Sequence, residues 1–328
     1  MSVRIYNSSA TEIQALMSLV AEVKANALPT EAIVLARSPL LAQELPRTLR
    51  AELNAFSEHE VSDGIVIRTG EAIPNENLPT PQNYDELSES YQFNDLQIAH
   101  ALLASLVGTP VGFRSQRNGR CLNNIIPTKV LENLPNSSSG SRFNFGLHTE
   151  DAYHAFKGDF LALACIRNDE KAVTSFASIK AVNLPKDMKA ELMKPQFLIG
   201  HNPIHEMAGD VKCQPQSILY GRVDSPCMRI NTSNTRGVDP RAQCILDEFS
   251  FLLVEARETV ILQRGDFFYL DNFYAAHARD AYQPQYGPGA RWLSRFILAK
   301  DLRKSMVARA SVESRVIEND YEAQSELA

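Results

Sequence analysis

Residues 146–154 read Gly-Leu-His-Thr-Glu-Asp-Ala-Tyr-His, and this segment indicates both a fold and a chemistry. On a β-strand, side chains two residues apart point to the same face, so His148 and Glu150 should project together while Thr149 points away. A second histidine would complete a metal-binding face of two imidazoles and one carboxylate, with three positions left open. Such a face is typical of non-haem Fe(II) oxygenases. Taken alone the pair is weak support, because a histidine two residues before a carboxylate is common.

His277 is the candidate for the second histidine, and two downstream arginines support it. It lies in the segment 270–279, Leu-Asp-Asn-Phe-Tyr-Ala-Ala-His-Ala-Arg, and Arg291 follows 14 residues later. Arg291 and Arg295 share one face of the predicted last strand, which places both guanidinium groups in the interior. Buried arginines need anionic partners, and the planar guanidinium binds a ligand carboxylate through two hydrogen bonds. An internal ion pair of arginine with aspartate is the alternative.

Charge and cysteine content exclude several classes of protein. The chain has 328 residues, with 33 Lys and Arg against 39 Asp and Glu, a formal net charge of −6. Nucleic acid is disfavoured as a partner, because proteins that bind it carry a basic surface. No segment reaches the roughly 18 consecutive apolar residues of a membrane span, and the first residues lack the pattern of a secretory signal. Five cysteines without a C-x-x-C pair are typical of reduced thiols, so we expect a cytoplasmic protein with a small-molecule ligand.

The spacing of apolar residues predicts helices in the first third of the chain. Helical spacing runs from Thr11 to Val23, and an amphipathic helix is predicted over residues 96–107. Between them, a helix is predicted to start with Ser38 as N-cap and Pro39 as its first residue. Pro46 should then kink or interrupt that helix.

Strands are predicted in the remainder, and the chain has no linker long enough to divide it. The predicted strands include residues 64–68, 160–166, 174–179, 267–270 and 291–299. We therefore expect one β-rich domain with helices packed outside it. Its parts would be a helix-rich N-terminal portion over residues 1–110, a core over 111–300 and a polar tail over 301–328.

Several motifs together resemble the clavaminate synthase-like family, a branch of the taurine-dioxygenase group of Fe(II)/2-oxoglutarate oxygenases. The motifs are the His148–His154 segment, Leu163-Ala-Cys-Ile-Arg167, Asp266–Asn272 followed by His277-Ala-Arg279, and Arg291-Trp-Leu-Ser-Arg295. They agree with the family in order, spacing and flanking residues over residues 90–300. The resemblance implies an α+β fold with a double-stranded β-helix (jelly-roll) core and flanking helices. It also implies Fe(II), with 2-oxoglutarate and O2 as cosubstrates.

The same resemblance implies roles for individual residues. His148, Glu150 and His277 would be the iron ligands and the catalytic centre. Arg291 would bind the distal carboxylate of 2-oxoglutarate with help from Thr174, or from Ser175 if the match shifts by one residue. Glu150 would also contact the substrate amino group through its free oxygen. The other residues implied in substrate binding are Ser138, Asn123, Asn231 and Arg295.

The substrate implied by the resemblance is an amino acid, free or held on a peptidyl carrier protein, in specialised-metabolite biosynthesis such as antibiotic formation. Relatives that hydroxylate arginine hold its guanidinium with acidic residues after a Ser-Pro turn, whereas residues 227–236 contain no carboxylate here. A desolvated cation without an opposing charge is unfavourable, so a neutral or acidic substrate side chain is expected, bound by Asn231 and Ser233. A cationic substrate served by Asp151 or Glu206 stays open, as does a catalytically silent jelly-roll binding protein.

Two other histidine motifs carry less chemistry. His201 and His205 are four residues apart, but Pro203 between them prevents the regular helix that would bring both to one metal ion. This segment is therefore expected to be a surface or lid loop. His59, in Ser57-Glu-His-Glu60, is predicted to lie in a solvated turn.

Overall fold

The first third of the chain is mainly helical, as its apolar spacing predicts. The computed structural model describes residues 3–25, 27–73, 78–82, 91–134, 137–201 and 214–318. The α-helices in these ranges are α1 (Ala10–Ala25), α2 (Glu31–Leu41), α3 (Arg47–Ser57), α4 (Asp95–Ala104), α5 (Lys186–Leu192) and α6 (Pro240–Glu255). Helix α1 buries Leu16, Val20 and Val23, which confirms the predicted apolar stripe.

The predicted helix start at Ser38 and Pro39 is wrong. Helix α2 begins earlier, at Glu31, and Pro39 lies inside it, close to its end. Ser38 lies inside this helix. Its hydroxyl therefore donates to the main-chain carbonyl of Val34, four residues earlier, at 2.7 Å and does not cap a new helix. Pro46 interrupts the helical run as predicted, and α3 begins directly after it.

The β-strands belong to two principal sheets and two small ones. The strands are β1 (Arg4–Asn7), β2 (Gly64–Arg68), β3 (Thr109–Phe113), β4 (Asn123–Ile125), β5 (Phe145–His148), β6 (Phe160–Arg167), β7 (Thr174–Ser178), β8 (Phe197–Ile199), β9 (Pro215–Gln216), β10 (Leu219–Gly221), β11 (Pro226–Met228), β12 (Thr235–Gly237), β13 (Glu258–Val260), β14 (Asp266–Asp271), β15 (Ala275–Arg279), β16 (Trp292–Ala299) and β17 (Val316–Ile317). In the described part of the chain the larger sheet has the order β1-β2-β14-β6-β16-β3-β17, and β4 also pairs with β16. The smaller principal sheet has the order β13-β7-β15-β5.

The two principal sheets pack face to face. Leu163 and Leu293 of the larger sheet share one buried apolar cluster with Phe176 and Ala275 of the smaller sheet. Alternate residues of each strand therefore point between the sheets, as in other β-sandwiches. The resulting architecture is the jelly roll that the family resemblance implies, and both sheets can contribute side chains to a ligand site between them.

Helix α4 is buried on all sides, whereas the sequence predicts an amphipathic helix there. Residues from Leu96 to Ala104 are all buried, including the polar Gln97 and His100. The reason is its position between α1 and α2 on one side and strands β6 and β16 on the other. Its start is fixed by a capping box in which Asn94 and Gln97 exchange hydrogen bonds.

The opposite side of the molecule is covered by α5, α6 and the small sheets. Helix α6 starts at Pro240 after the N-cap Asp239 and buries Leu246, Phe249 and Leu253. The tail contributes β17, which pairs in parallel with β3. Among the residues that the structure describes, no helix combines the length and apolar character needed to cross a membrane.

Candidate metal centre and cavity

Two histidines and a glutamate meet between the sheets. Strands β5 and β15 are neighbours, and His148 lies directly opposite His277 in their register, with ring centroids 4.1 Å apart. Each of the three residues His148, Glu150 and His277 offers one ligand atom, and these atoms lie within 4.8 Å of one another. All three side chains are buried. The structure thus brings together the three residues that the sequence predicts as metal ligands.

Glu150 does not lie on a strand, contrary to the alternation used to predict it. Strand β5 ends at His148, and Glu150 follows in a turn where Asp151 adopts a left-handed backbone with φ of 50°. Asn272 fixes this turn: its Oδ1 accepts from the main-chain N–H of Glu150 at 2.7 Å, and its Nδ2 donates to the carbonyl oxygens of Glu150 at 3.0 Å and Gly158 at 2.8 Å. Asn272 lies in the 266–272 motif, but no local sequence pattern links it to Glu150 and its role is visible only in the folded protein.

The protonation states of these residues suit a divalent metal ion. His148 Nδ1 is 2.8 Å from the carbonyl oxygen of Gly146 and can only donate to it, which leaves Nε2 as the metal-facing lone pair. Burial, with a contribution from nearby His277, lowers the pKa of His148 to about 3, so its ring is neutral at physiological pH. Burial alone would raise the pKa of Glu150, but Arg295 and His277 outweigh it and hold that pKa below its usual range.

One carboxylate oxygen of Glu150 has no hydrogen-bond partner in the part of the chain that the structure describes. Its Oε1 accepts from Arg295 Nη1 at 2.9 Å, whereas Oε2 is buried, receives no hydrogen bond from the described residues and lies 3.5 Å from His277 Nε2. A buried anionic oxygen without a partner is unfavourable unless a cation or donor completes it. Two imidazole nitrogens and one carboxylate oxygen around one point fit Fe(II).

A cavity of about 450 Å³, counting the open space at its mouth, adjoins the three residues. It is lined by Ile125, Ser138, Phe145, Glu150, Leu163, Thr174, His277, Ala278, Arg279, Arg291, Leu293 and Arg295. The predicted residues Ser138, Thr174, Arg291 and Arg295 therefore share one cavity with the metal ligands. Thr174 lines the cavity and its neighbour Ser175 does not, since consecutive strand residues point to opposite faces. The Ser175 hydroxyl instead donates to Asp280 Oδ1 at 3.3 Å.

Asn123 and Asn231 lie close to the site but do not line this cavity. Asn123 on β4 is opposite Arg295 in the strand register, and its amide donates to the carbonyl oxygens of Arg120 and Cys121. Asn231 forms a β-bridge with His148, and its Oδ1 accepts from two main-chain N–H groups that follow it. Their substrate contacts stay predictions.

Arg279 is a cavity residue to which the sequence analysis assigns no role. It lies two residues after His277 on β15 and stacks against Tyr282, with 5.3 Å from its guanidinium carbon to the ring centroid. Arg291 approaches the same ring at 5.6 Å. Burial lowers the pKa of Arg279 to about 10, which still leaves the guanidinium protonated at neutral pH. The spacing His-x-Arg on a strand is the signal that could have indicated this residue.

The model of the family described as "Taurine catabolism dioxygenase TauD, TfdA family" matches residues 93–297, more than half of the chain. The chain belongs to this family. The enduracididine beta-hydroxylase of Streptomyces hygroscopicus is 28% identical over 310 residues, covering 86% of this chain and 90% of that protein. The L-asparagine oxygenase of Streptomyces coelicolor is 28% identical over 271 residues, covering 80% of this chain and 79% of that protein.

The fold is also similar to that of a solved non-heme iron oxygenase. The crystal structure of the non-heme iron oxygenase OrfP in complex with Fe and alpha-ketoglutaric acid has a TM-score of 0.86 and 26% identity, covering 96% of this chain and 100% of that one. The predicted jelly-roll fold and the resemblance to the clavaminate synthase-like branch are thereby confirmed. Of the second histidine pair, His205 lies outside the described residues, and His201 lies beside the Tyr153 ring.

Proposed function

We propose that this TauD-family protein is an Fe(II)/2-oxoglutarate-dependent dioxygenase that hydroxylates a C–H bond of a free amino acid. The observation that carries the proposal is the buried set of His148, Glu150 and His277 in one cavity with Arg291. Bound iron would supply the activation of O2 that couples decarboxylation of 2-oxoglutarate to substrate hydroxylation. No acid or base is required at the reacting carbon, and the protein's task is to bind, orient and exclude water.

Each part of the cavity has a task in this reaction. His148, Glu150 and His277 would hold the metal ion, and the hydrogen bond from His148 to Gly146 fixes the orientation of that imidazole. Arg291 would bind the distal carboxylate of 2-oxoglutarate through its planar fork, with the Thr174 hydroxyl as a further donor. Apolar walls that include Leu163 and Leu293 keep water from the reacting groups.

The ion pair between Glu150 and Arg295 supports an amino-acid substrate. Both side chains are buried beside the cavity, and they present a negative and a positive group in contact at 2.9 Å. The head group of a free amino acid carries the complementary pair, an ammonium for Glu150 and a carboxylate for Arg295. A carrier-bound aminoacyl thioester lacks that carboxylate and would leave Arg295 without an anionic partner, so the pair favours a free substrate.

The charge of the cavity supports a neutral or acidic substrate side chain. Among its described lining residues are three arginines and a single carboxylate, that of Glu150. A guanidinium or ammonium on the substrate side chain would find no second carboxylate among these lining residues to pair with. The two relatives named above differ in their substrates, since one acts on enduracididine and the other on asparagine. Hydroxylated amino acids of this kind serve specialised-metabolite biosynthesis, which is the context we propose.

A substrate screen tests the proposal. Protein loaded with Fe(II) is given 2-oxoglutarate and, in turn, asparagine, glutamine, aspartate, glutamate, arginine, ornithine, lysine and a carrier-bound aminoacyl thioester. Succinate release and a product heavier by one oxygen atom are measured by mass spectrometry, with the variant His277→Ala as control. We expect coupled turnover with an amide or acidic amino acid. Efficient turnover of arginine or lysine alone would refute the proposed side-chain class, and no turnover of any amino acid would favour a silent binding protein.

A further inference from the structure

Arg279 has the chemistry of a ligand-binding residue but no part in the reaction described so far. It lines the cavity and is only 7% exposed. Its Nη1 donates to the carbonyl oxygens of Ser141 at 3.4 Å and Asp280 at 3.1 Å. Its Nε is buried and finds no hydrogen-bond partner among the described residues.

The carboxylate that follows Arg279 in the chain, that of Asp280, is engaged with other groups. Asp280 pairs with Arg257 at 3.4 Å on the more exposed side of the strand. In the described part of the chain no carboxylate lies within salt-bridge distance of Arg279. A buried guanidinium without an anion is unfavourable, which indicates that an anion arrives from outside.

The position of Arg279 indicates which anion this is. Arg279 on β15 lies directly opposite Thr174 on β7, and directly opposed residues of an antiparallel pair project to the same face. The Tyr282 ring contacts both Arg279 and Arg291. Thr174, Arg279 and Arg291 are therefore neighbours in the cavity lining, whereas Arg295 is paired with Glu150 of the metal-binding set.

We propose that Arg279 is a second guanidinium that binds the distal carboxylate of 2-oxoglutarate together with Arg291, an inference that rests on the proposed function. Two guanidinium groups that face one carboxylate can donate to both of its oxygens, and the shared anion offsets the repulsion between the two cations. Arg279 thereby selects dicarboxylic 2-oxo acids over those that lack the second carboxylate.

Replacement of Arg279 separates this role from a structural one. The variant Arg279→Met keeps the volume and removes the charge, so we expect the Kd for 2-oxoglutarate to rise about 10- to 100-fold. Oxalate chelates the metal but has no distal carboxylate, so its Kd should stay unchanged. The melting temperature of the metal-free protein should stay the same or rise, since an apolar side chain replaces an unpaired buried charge.

Anaerobic calorimetric titration of Fe(II)-loaded protein with 2-oxoglutarate and with oxalate measures both affinities. Arg309→Met is the matched control. Among the described residues, Arg309 also donates only to main-chain carbonyl oxygens and has a buried Nε without a partner, and it does not line the cavity. Its Kd for 2-oxoglutarate should equal that of the wild type. If Arg279→Met does not fold, Arg279→Lys replaces it, with a loss of affinity expected because the fork is gone.

Distinct results would overturn the inference. A Kd for 2-oxoglutarate in the Arg279 variants within twofold of the wild type would assign Arg279 a structural role. An equal loss of oxalate affinity would mean that the metal site, not the distal carboxylate, is disturbed. If the wild-type protein itself does not bind 2-oxoglutarate, the proposed function fails instead, and the two failures are thus distinguishable.

Discussion

The ion pair between Arg295 and Glu150 should stabilise the metal-free protein strongly. The two side chains are 8% and 7% exposed and their charged atoms are 2.9 Å apart, so either charge left alone would be desolvated and unpaired. Removal of one partner of such a pair costs about 3–5 kcal/mol. We therefore expect Arg295→Met and Glu150→Gln each to lower the free energy of unfolding by about that amount. The double variant should cost less than either single one, since no unpaired charge remains.

Urea-induced unfolding in the presence of a chelator gives the free energy of unfolding of the two single variants, the double variant and the wild type. Excess Fe(II) provides a second test, because a metal ion at Glu150 Oε2 supplies the positive charge that Arg295→Met removes. The difference in stability between Arg295→Met and the wild type should then become smaller. A loss below about 1 kcal/mol in both single variants, as for an exposed pair, would refute the reasoning.

Three further outcomes follow from the site and its surroundings. His277→Ala should abolish Fe(II) binding in a metal titration while the melting temperature of the metal-free protein stays close to that of the wild type, and retained activity would place the third ligand elsewhere. Arg291→Lys should raise the KM for 2-oxoglutarate far more than the KM for the amino acid, because lysine keeps the charge but loses the planar guanidinium. Equal effects on both KM values would mean that Arg291 is structural. The hydrogen bond to buried Asp271, 2.6 Å away, raises the pKa of His59. The wild type should therefore exceed His59→Gln in stability below the unfolded pKa of about 6.5, and unfolding curves should converge as pH rises through the raised folded value.

The residue types identify the three side chains that meet, although alternation along a strand does not describe how Glu150 reaches the other two. His148 and His277 meet because β5 and β15 pair, a pairing that the sequence does not predict. Glu150 reaches the same point from a turn, and the turn is held by Asn272, 122 residues away in the chain. Contacts at that separation leave no local pattern, so only the folded structure reveals them.

Tertiary packing explains the remaining differences from the sequence-based predictions. Gln97 and His100 give α4 the composition of an amphipathic helix, yet Gln97 is satisfied by Asn124 at 3.0 Å in the interior. His59 lies in an exposed turn, as predicted, but the sequence does not reveal that its ring pairs with buried Asp271. In both cases a polar residue is placed by a specific partner, and periodicity detects only the average polarity of a face.

The division of the site between two sheets has a consequence for how ligands can be found. The histidine ligands lie on β5 and β15 of one sheet, whereas Arg291 and Arg295 lie beside and on β16 of the other. A molecule that bridges them acts as a cross-link through the middle of the sandwich, and it is lost whenever the sheets separate. Ligand at 100 times its Kd should then add about 2.7 kcal/mol to the free energy of unfolding. Melting curves recorded without O2 can thus rank candidate amino acids before any of them is turned over.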